Sequence, residues 1–308
     1  KPSSTNSLAE NADLSGRDDS RRGLRYYNFC QQMGKVIKTS QRGRDVKTTY
    51  DADEFLMQLM DAGEELRLDE EAAAVSRNPT RDENITVGSE AGSLMAGAAT
   101  WAMHNSSRGA TGANAVLDGS GVFPDRGGGP TTAPTAGTGR GFTETLLRDT
   151  LRKGWNDGAR FNLLMSTGDM IENIAGYMFT SSARIATMNT DIPQTNRTGV
   201  SSGNGARQGG VVAQGAVNMF VGNFGVVTLT PNRQMTTYTS GAAQVVDVLF
   251  VDTRYPMIGT LHDYGTKDLG VTGLYDQQVL FCDKTFIPGA TRSLATVADI
   301  NPATPMVA

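Results

Sequence analysis

Apolar residues recur at three- and four-residue spacing through Phe55, Leu59, Ala62, Leu66 and Ala73. That period predicts one long amphipathic helix over residues 51–77. Asp51 suits the cap, with Glu54 at the reciprocal capping-box position, and the early acidic residues suit the positive end of a helix. Asn78-Pro79 ends it. At 1.5 Å per residue the helix is about 40 Å long, a spine rather than a connector.

Upstream, residues 1–20 are polar and read as a flexible arm that needs a partner to order. Residues 21–50 carry two short apolar runs, Leu24 to Phe29 and Val36-Ile37, with Met33-Gly34 between them, and read as an extended hairpin bent at that dipeptide. Downstream, Thr143 to Trp155 reads as a helix with Leu147, Leu151 and Trp155 on one side. Phe161 to Met165 reads as a strand. Ser166 then caps a second helix carrying Met170, Ile171, Ile174, Tyr177 and Met178 on one face. After a polar loop at 189–210 the chain turns β-rich: Val211-Val212, Val217 to Val221, Val226 to Thr230, Val245 to Val251 and Val279 to Cys282 are strand candidates. Between the two helical regions, residues 105–141 hold ten Gly and three Pro, a loop composition. So long a loop inside a domain is usually functional or disordered.

Charge changes this picture most in the first eighty residues. Arg17 to Lys47 contains nine basic and three acidic side chains, and Asp51 to Glu71 contains nine acidic ones and Arg67. A basic projection beside an acidic helix is what a chain needs to grip a copy of itself, because complementary charge sets register and partner choice. Arg21, Arg22, Arg25, Arg42 and Arg44 on one side, and Asp61, Glu64, Glu65 and Asp69 on the other, are the candidate contacts between copies. Tyr26, Tyr27 and Phe29 beside these arginines also suit a nucleic-acid surface. Protein contact is preferred because the matching acidic surface follows immediately. The net charge of −4 gives the whole chain no nucleic-acid footprint. No apolar run reaches the roughly 18 residues of a membrane span. Cys30 and Cys282 lie far apart in apolar runs and read as buried thiols.

Catalytic motifs are thin. Gly199 to Gly203 matches the G-x-S-x-G pattern around Ser201, but loop residues flank it where a nucleophile elbow needs a strand and a helix. Gly127-Gly128-Gly129 and the glycines at 137, 139 and 141 lack the Lys and Ser/Thr of a phosphate loop. His104 and His262 sit in no metal-binding pattern. Asn84, Asn105 and Asn196 open glycosylation-type triplets that signify only loop polarity without a secretory context. No cofactor and no enzymatic activity are expected.

The order of features resembles a family. Arg25-Tyr-Tyr-Asn-Phe-Cys30, the spine helix, the Gly-rich connector, Phe142-Thr-Glu-Thr-Leu-Leu, Trp155-Asn-Asp-Gly158, Phe161 to Thr167, Asn223-Phe-Gly225, Leu229 to Arg233 and Leu280 to Lys284 follow one another as in major capsid proteins of tailed bacteriophages with the Hong Kong 97-type fold. The resemblance implies an α+β shell subunit and no catalysis. It implies an N-terminal arm at 1–20 and an extended hairpin loop at 21–50. A peripheral domain at 51–141, an axial domain at 142–265 and a return to the peripheral domain at 266–308 would follow. The loop at 189–210 would face the centre of a pentamer or hexamer, and the Gly-rich stretch would be an added surface loop. The implied partners are copies of the chain itself, enclosed double-stranded DNA without sequence recognition, and portal, scaffold or decoration proteins. No membrane partner is implied, and the place is the virion, assembled in the host cytoplasm. The rivals are a cellular nanocompartment shell of the same fold, a serine hydrolase using Ser201, and a tail or fibre protein.

Overall fold

A computed structural model of the chain describes residues 25–46, 53–83, 92–118, 126–180, 219–241, 243–270 and 273–307. The arm, Arg21, Arg22, Asp51, the loop at 189–210 with Ser201, and the strand candidate Val211-Val212 lie outside these residues. The architecture mixes helices and sheets, as expected of an α+β chain.

The spine helix α2 spans Glu54–Val75. Its cap is Asp53, whose side chain accepts a hydrogen bond from the Phe55 N–H at 3.1 Å. Of the expected stripe, Ala62, Leu66 and Ala73 are buried, and Phe55 and Leu59 pack against the same core. The helix lies on a three-stranded antiparallel sheet of β11 (Met257–Asp268), β12 (Tyr275–Ile287) and β2 (Gln31–Ser40), in the order β11-β12-β2.

Strand β2 corrects the hairpin expected over 21–50. It runs straight through Met33-Gly34, paired with β12 from Gln31↔Lys284 to Ser40↔Tyr275. Only the two-residue strand β1 (Arg25–Tyr26) precedes it among the described residues, and β1 pairs with β4 (Arg126–Gly128). A ladder with a partner some 240 residues downstream outweighs a local turn signal, because strand preference follows cross-strand packing more than local sequence. After β2, Ser40 caps the five-residue helix α1 (Gln41–Asp45).

The second sheet has six strands. Its main order is β13 (Leu294–Ile300), β10 (Ala243–Val251), β6 (Leu163–Ser166), β8 (Gly225–Pro231) and β7 (Met219–Gly222), with β9 (Thr237–Ser240) also on β10. Strand residues alternate between two covered faces. Val246, Val248 and Phe250 enter one core with α4 (Glu144–Asn156) and α5 (Gly168–Thr180), while Leu249 and Val251 enter the other with α2 and the short helix α3 (Ala98–Trp101). Burial on both faces explains the near-continuous Val-rich run of β10. Helix α4 starts at its Thr143 cap. Ser166 does not cap α5. It ends β6 and its hydroxyl donates to the Asp247 carbonyl at 2.9 Å. Trp155 does not join the core and stays half-exposed.

Three further expectations change. The division at residue 265 cuts through β11, which pairs along its length with β12. The last strands part company: β12 joins the sheet under α2, and β13 joins the six-stranded sheet. The Gly-rich stretch is no added surface loop in its described part. It is bonded to the core strand β13 at Ser107↔Val297 and Arg140↔Ile300, and to itself through the two-residue strand β3 (Val116–Leu117) and β5 (Pro130–Thr132). Its glycines allow backbones to touch. A Cβ on Gly137 would lie 2.6 Å from the Gly109 carbonyl oxygen.

Leu66 is fully buried beneath α2, whereas Leu68 on the outer face is 48% exposed. Leu66→Ala is expected to cost about 2–5 kcal/mol, and Leu68→Ala less than about 0.5 kcal/mol. Urea midpoints of the unassembled subunit, followed by circular dichroism, check the contrast.

Candidate functional site

Strand β2 lies along α2, so the basic and acidic blocks of the sequence meet first within one chain. Lys35 reaches from β2 to Asp69 at 2.8 Å and Glu65 at 3.5 Å. These carboxylates push the ammonium pKa upward, the Asp69 hydrogen bond foremost. Arg44 of α1 bridges Asp276 at 2.5 Å and Asp53 at 3.2 Å, and its guanidinium lies 5.5 Å from the Phe55 ring. Glu70 is held by Lys284 at 2.9 Å and by the Tyr264 hydroxyl. Three of the expected inter-copy residues, Arg44, Glu65 and Asp69, therefore have partners in their own chain. Arg25 lies in β1 at the edge of the Gly-rich stretch. Arg42, Asp61 and Glu64 are exposed and, among the described residues, form no ion pair.

The outer face of α2 carries Asp61 and Glu64 between the exposed apolar side chains Leu56, Met57, Met60 and Leu68, which are 48–66% exposed. Contiguous exposed apolar residues rimmed by charge mark contact surfaces. This face points away from the chain's own core.

A second cluster escaped the sequence reading. Two residues beyond α2, Arg77 inserts its guanidinium between strands of the six-stranded sheet. Nε and Nη2 donate to the two oxygens of Asp247 at 2.7 and 2.9 Å, and Nη2 donates to the Tyr238 hydroxyl at 2.6 Å. The Arg77 guanidinium also stacks 3.7 Å over the Tyr238 ring. The hydroxyl accepts from the Asp299 N–H and lies 2.8 Å from Asp299 Oδ1 and 2.9 Å from Asp247 Oδ1. Asp299 Oδ2 accepts from the Gly109 N–H at 2.9 Å. Asp247 and Asp299 are buried. Desolvation, then the Asp247 charge, holds the Tyr238 hydroxyl far above the usual phenol range. Desolvation also lowers the pKa of the nearby Arg108. Removing one partner of such a buried pair typically costs about 3–5 kcal/mol, because a charge is left uncompensated. The sequence signal was there: Asp247 and Asp299 are single carboxylates inside the apolar runs of β10 and β13.

Ser201 lies outside the described residues. Among the described residues no group of three His, Cys, Asp or Glu stands where a metal ion fits. His104 and His262 are exposed. Gly128 has φ +76, and a Cβ there would meet the Asp118 carbonyl, so the triple glycine serves backbone packing. Asn105 is buried and donates to the Arg292 carbonyl, out of reach of a glycosylating enzyme. Cys282 is buried, Cys30 is half-buried, and both are free thiols. No helix among the described residues is long and apolar enough to cross a membrane.

A family model described as SU10 major capsid protein matches residues 1–301. The chain belongs to that family. As a major capsid protein it is a structural subunit of a phage head shell, which associates with copies of itself and resides in the virion capsid. Similar solved structures include a chain of the satellite phage P4 procapsid including size determination (Sid) protein, with 11% identity, TM-score 0.47, 99% of this chain and 81% of that one covered. A Mycobacterium phage Bobi chain has 11% identity and TM-score 0.43, covering 88% and 72%. A chain of the holo-SrpI encapsulin complex from Synechococcus elongatus PCC 7942 has 9% identity and TM-score 0.45, covering 89% and 75%. Among curated proteins no match was found.

Proposed function

We propose that this capsid subunit closes into a shell of pentamers and hexamers around double-stranded DNA, with charge-paired contacts between copies aligning each boundary. The observation that carries this reading is the outer face of α2, where Asp61 and Glu64 stand unpaired among exposed Leu56, Met57, Met60 and Leu68 in a chain of a major capsid family. The basic residues Arg21, Arg22 and Arg42 of a neighbouring copy supply the complementary charge. An exposed ion pair contributes only about 0.2–1 kcal/mol, so many weak pairs repeated over the shell set register and allow errors to dissociate. In the Hong Kong 97-type scheme α2 and the sheet of β2, β11 and β12 make the peripheral part, while α4, α5 and the strands β7 to β10 face the capsomer centre.

The chain makes the wall and recognises no DNA sequence. Portal, scaffold and decoration proteins are its further partners, and assembly takes place in the host cytoplasm. The nanocompartment alternative differs in contents. Particles purified after phage infection and treated with nuclease are expected to retain genome-length double-stranded DNA, measured by ultraviolet absorbance and gel electrophoresis. Particles of the same size that hold a single enzyme species and no DNA would favour the compartment. Ser201→Ala is expected to change no esterase activity, because the preparation should have none.

A further inference from the structure

The cluster around Arg77 has no part in the surface contacts just described, yet it joins five segments of the chain. Arg77 follows the spine helix, Gly109 belongs to the Gly-rich stretch, Tyr238 to β9, Asp247 to β10 and Asp299 to β13. Three of its members lie on the six-stranded sheet, whose strands β10, β6 and β13 supply residues both to the core under α2 and to the core under α4 and α5. The Arg77 side chain is 12% exposed, Asp247 1% and Asp299 0%. Asp299 also has φ +62, a left-handed conformation uncommon outside glycine and adopted more readily by asparagine and aspartate than by other residues. Its backbone N–H, both carboxylate oxygens and the Arg77 fork are all engaged in one network.

Burying charges in this way gains little stability over an apolar replacement, but it gains geometry. The two N–H groups of an arginine fork fit a carboxylate in one plane and one direction, and lysine cannot reproduce that. Stacking on Tyr238 fixes the remaining rotation. The end of α2 is thereby held at one angle to the sheet. In a closed shell of identical chains, a change in that angle is repeated at every subunit boundary and alters curvature. Heterologous contacts close only when the rotation between neighbours is right.

We infer that the Arg77–Asp247–Tyr238–Asp299 network is a positioning device that sets shell curvature, by fixing the angle between the spine helix and the six-stranded sheet. This rests on the shell reading of the preceding subsection. Arg77 is a positioning residue, its guanidinium bonded to Asp247 and Tyr238 of its own chain.

Two conservative variants test it. Arg77→Lys keeps the charge and loses the fork. Tyr238→Phe keeps the ring and loses the hydroxyl that bridges the two carboxylates. Each is compared with wild type for the thermal melt of the unassembled subunit, and for the diameter distribution of assembled particles by electron microscopy. The expected result is a folded subunit that still associates, with loss of the single diameter class in favour of mixed, open or misshapen particles. Particles of wild-type diameter from both variants would overturn the inference, whatever the melts show. So would failure of both variants to fold, which would make the network a stability element alone. A wild-type control that forms no closed particles would contradict the shell reading itself, and the inference would fall with it.

Discussion

The double variant Asp61→Arg, Glu64→Arg is expected to give a folded subunit that forms no closed shells. Both side chains are exposed on α2 and, among the described residues, neither is in an ion pair, so their reversal leaves the fold intact. Their neighbours differ in this respect. Glu65 and Asp69 are occupied by Lys35, and Glu70 by Lys284. Reversing two carboxylates at each boundary replaces attraction to a basic partner surface with repulsion, and like charges brought together across an interface cost several kcal/mol. The change also moves the net charge from −4 to 0, since each reversal adds two units. A control with the same net charge, Glu83→Arg with Asp268→Arg at exposed positions off both α2 and α5, separates the local effect from lost solubility. Sedimentation velocity reads both. The control should sediment as shells and the α2 variant as free subunits or capsomers. Equal shell yields from the two would remove α2 from the interface.

Gly109→Ala is expected to deplete the folded subunit. A Cβ at that position would lie 2.1 Å from the Thr138 carbonyl oxygen, a distance that no carbon tolerates, and the obstacle is backbone rather than a side chain able to turn away. The Gly109 N–H also holds Asp299 Oδ2. Pushing the Gly-rich stretch outward thus leaves a fully buried carboxylate short of a donor. Overpacking costs about 3 kcal/mol at the upper end of its usual range, and an unsatisfied buried polar group costs about 1–3 kcal/mol more. Against a total stability of about 5–15 kcal/mol for a typical domain, the folded subunit should become scarce. By contrast Gly176→Ala, within α5 and with nothing in 4 Å of the added carbon, should raise the urea midpoint through better helix propensity. Opposite shifts in the two midpoints are the predicted result. A Gly109→Ala subunit as stable as wild type would mean that the Gly-rich stretch does not pack on β13.

Much of this was legible locally. The period of α2, the Thr143 cap of α4 and the valine run of β10 each carry their own signal, and the order of short motifs pointed to the capsid family. What escaped depends on distant partners. β2 is straight because β12 supplies a ladder from the far end of the chain. β13 contains Ala, Thr and Asp and is still buried throughout, because β10 pairs with one edge while the Gly-rich stretch contacts its backbone. β11 is an edge strand, exposed over most of its length, so no alternation marks it. The two charge blocks were expected to meet between copies, whereas Lys35 meets Glu65 and Asp69 within one chain. Only Arg42, Asp61 and Glu64 of the described candidates remain unpaired for a neighbour. The Arg77 network could be suspected only from two isolated aspartates in apolar strands.

The most direct test of the central claim is negative-stain electron microscopy of the purified wild-type chain, at moderate and then high salt. Exposed charge pairs weaken as ions screen them. Closed polyhedral shells that loosen as salt rises are the predicted result. Small monodisperse particles that never assemble, or tubes and rods in place of shells, would contradict it.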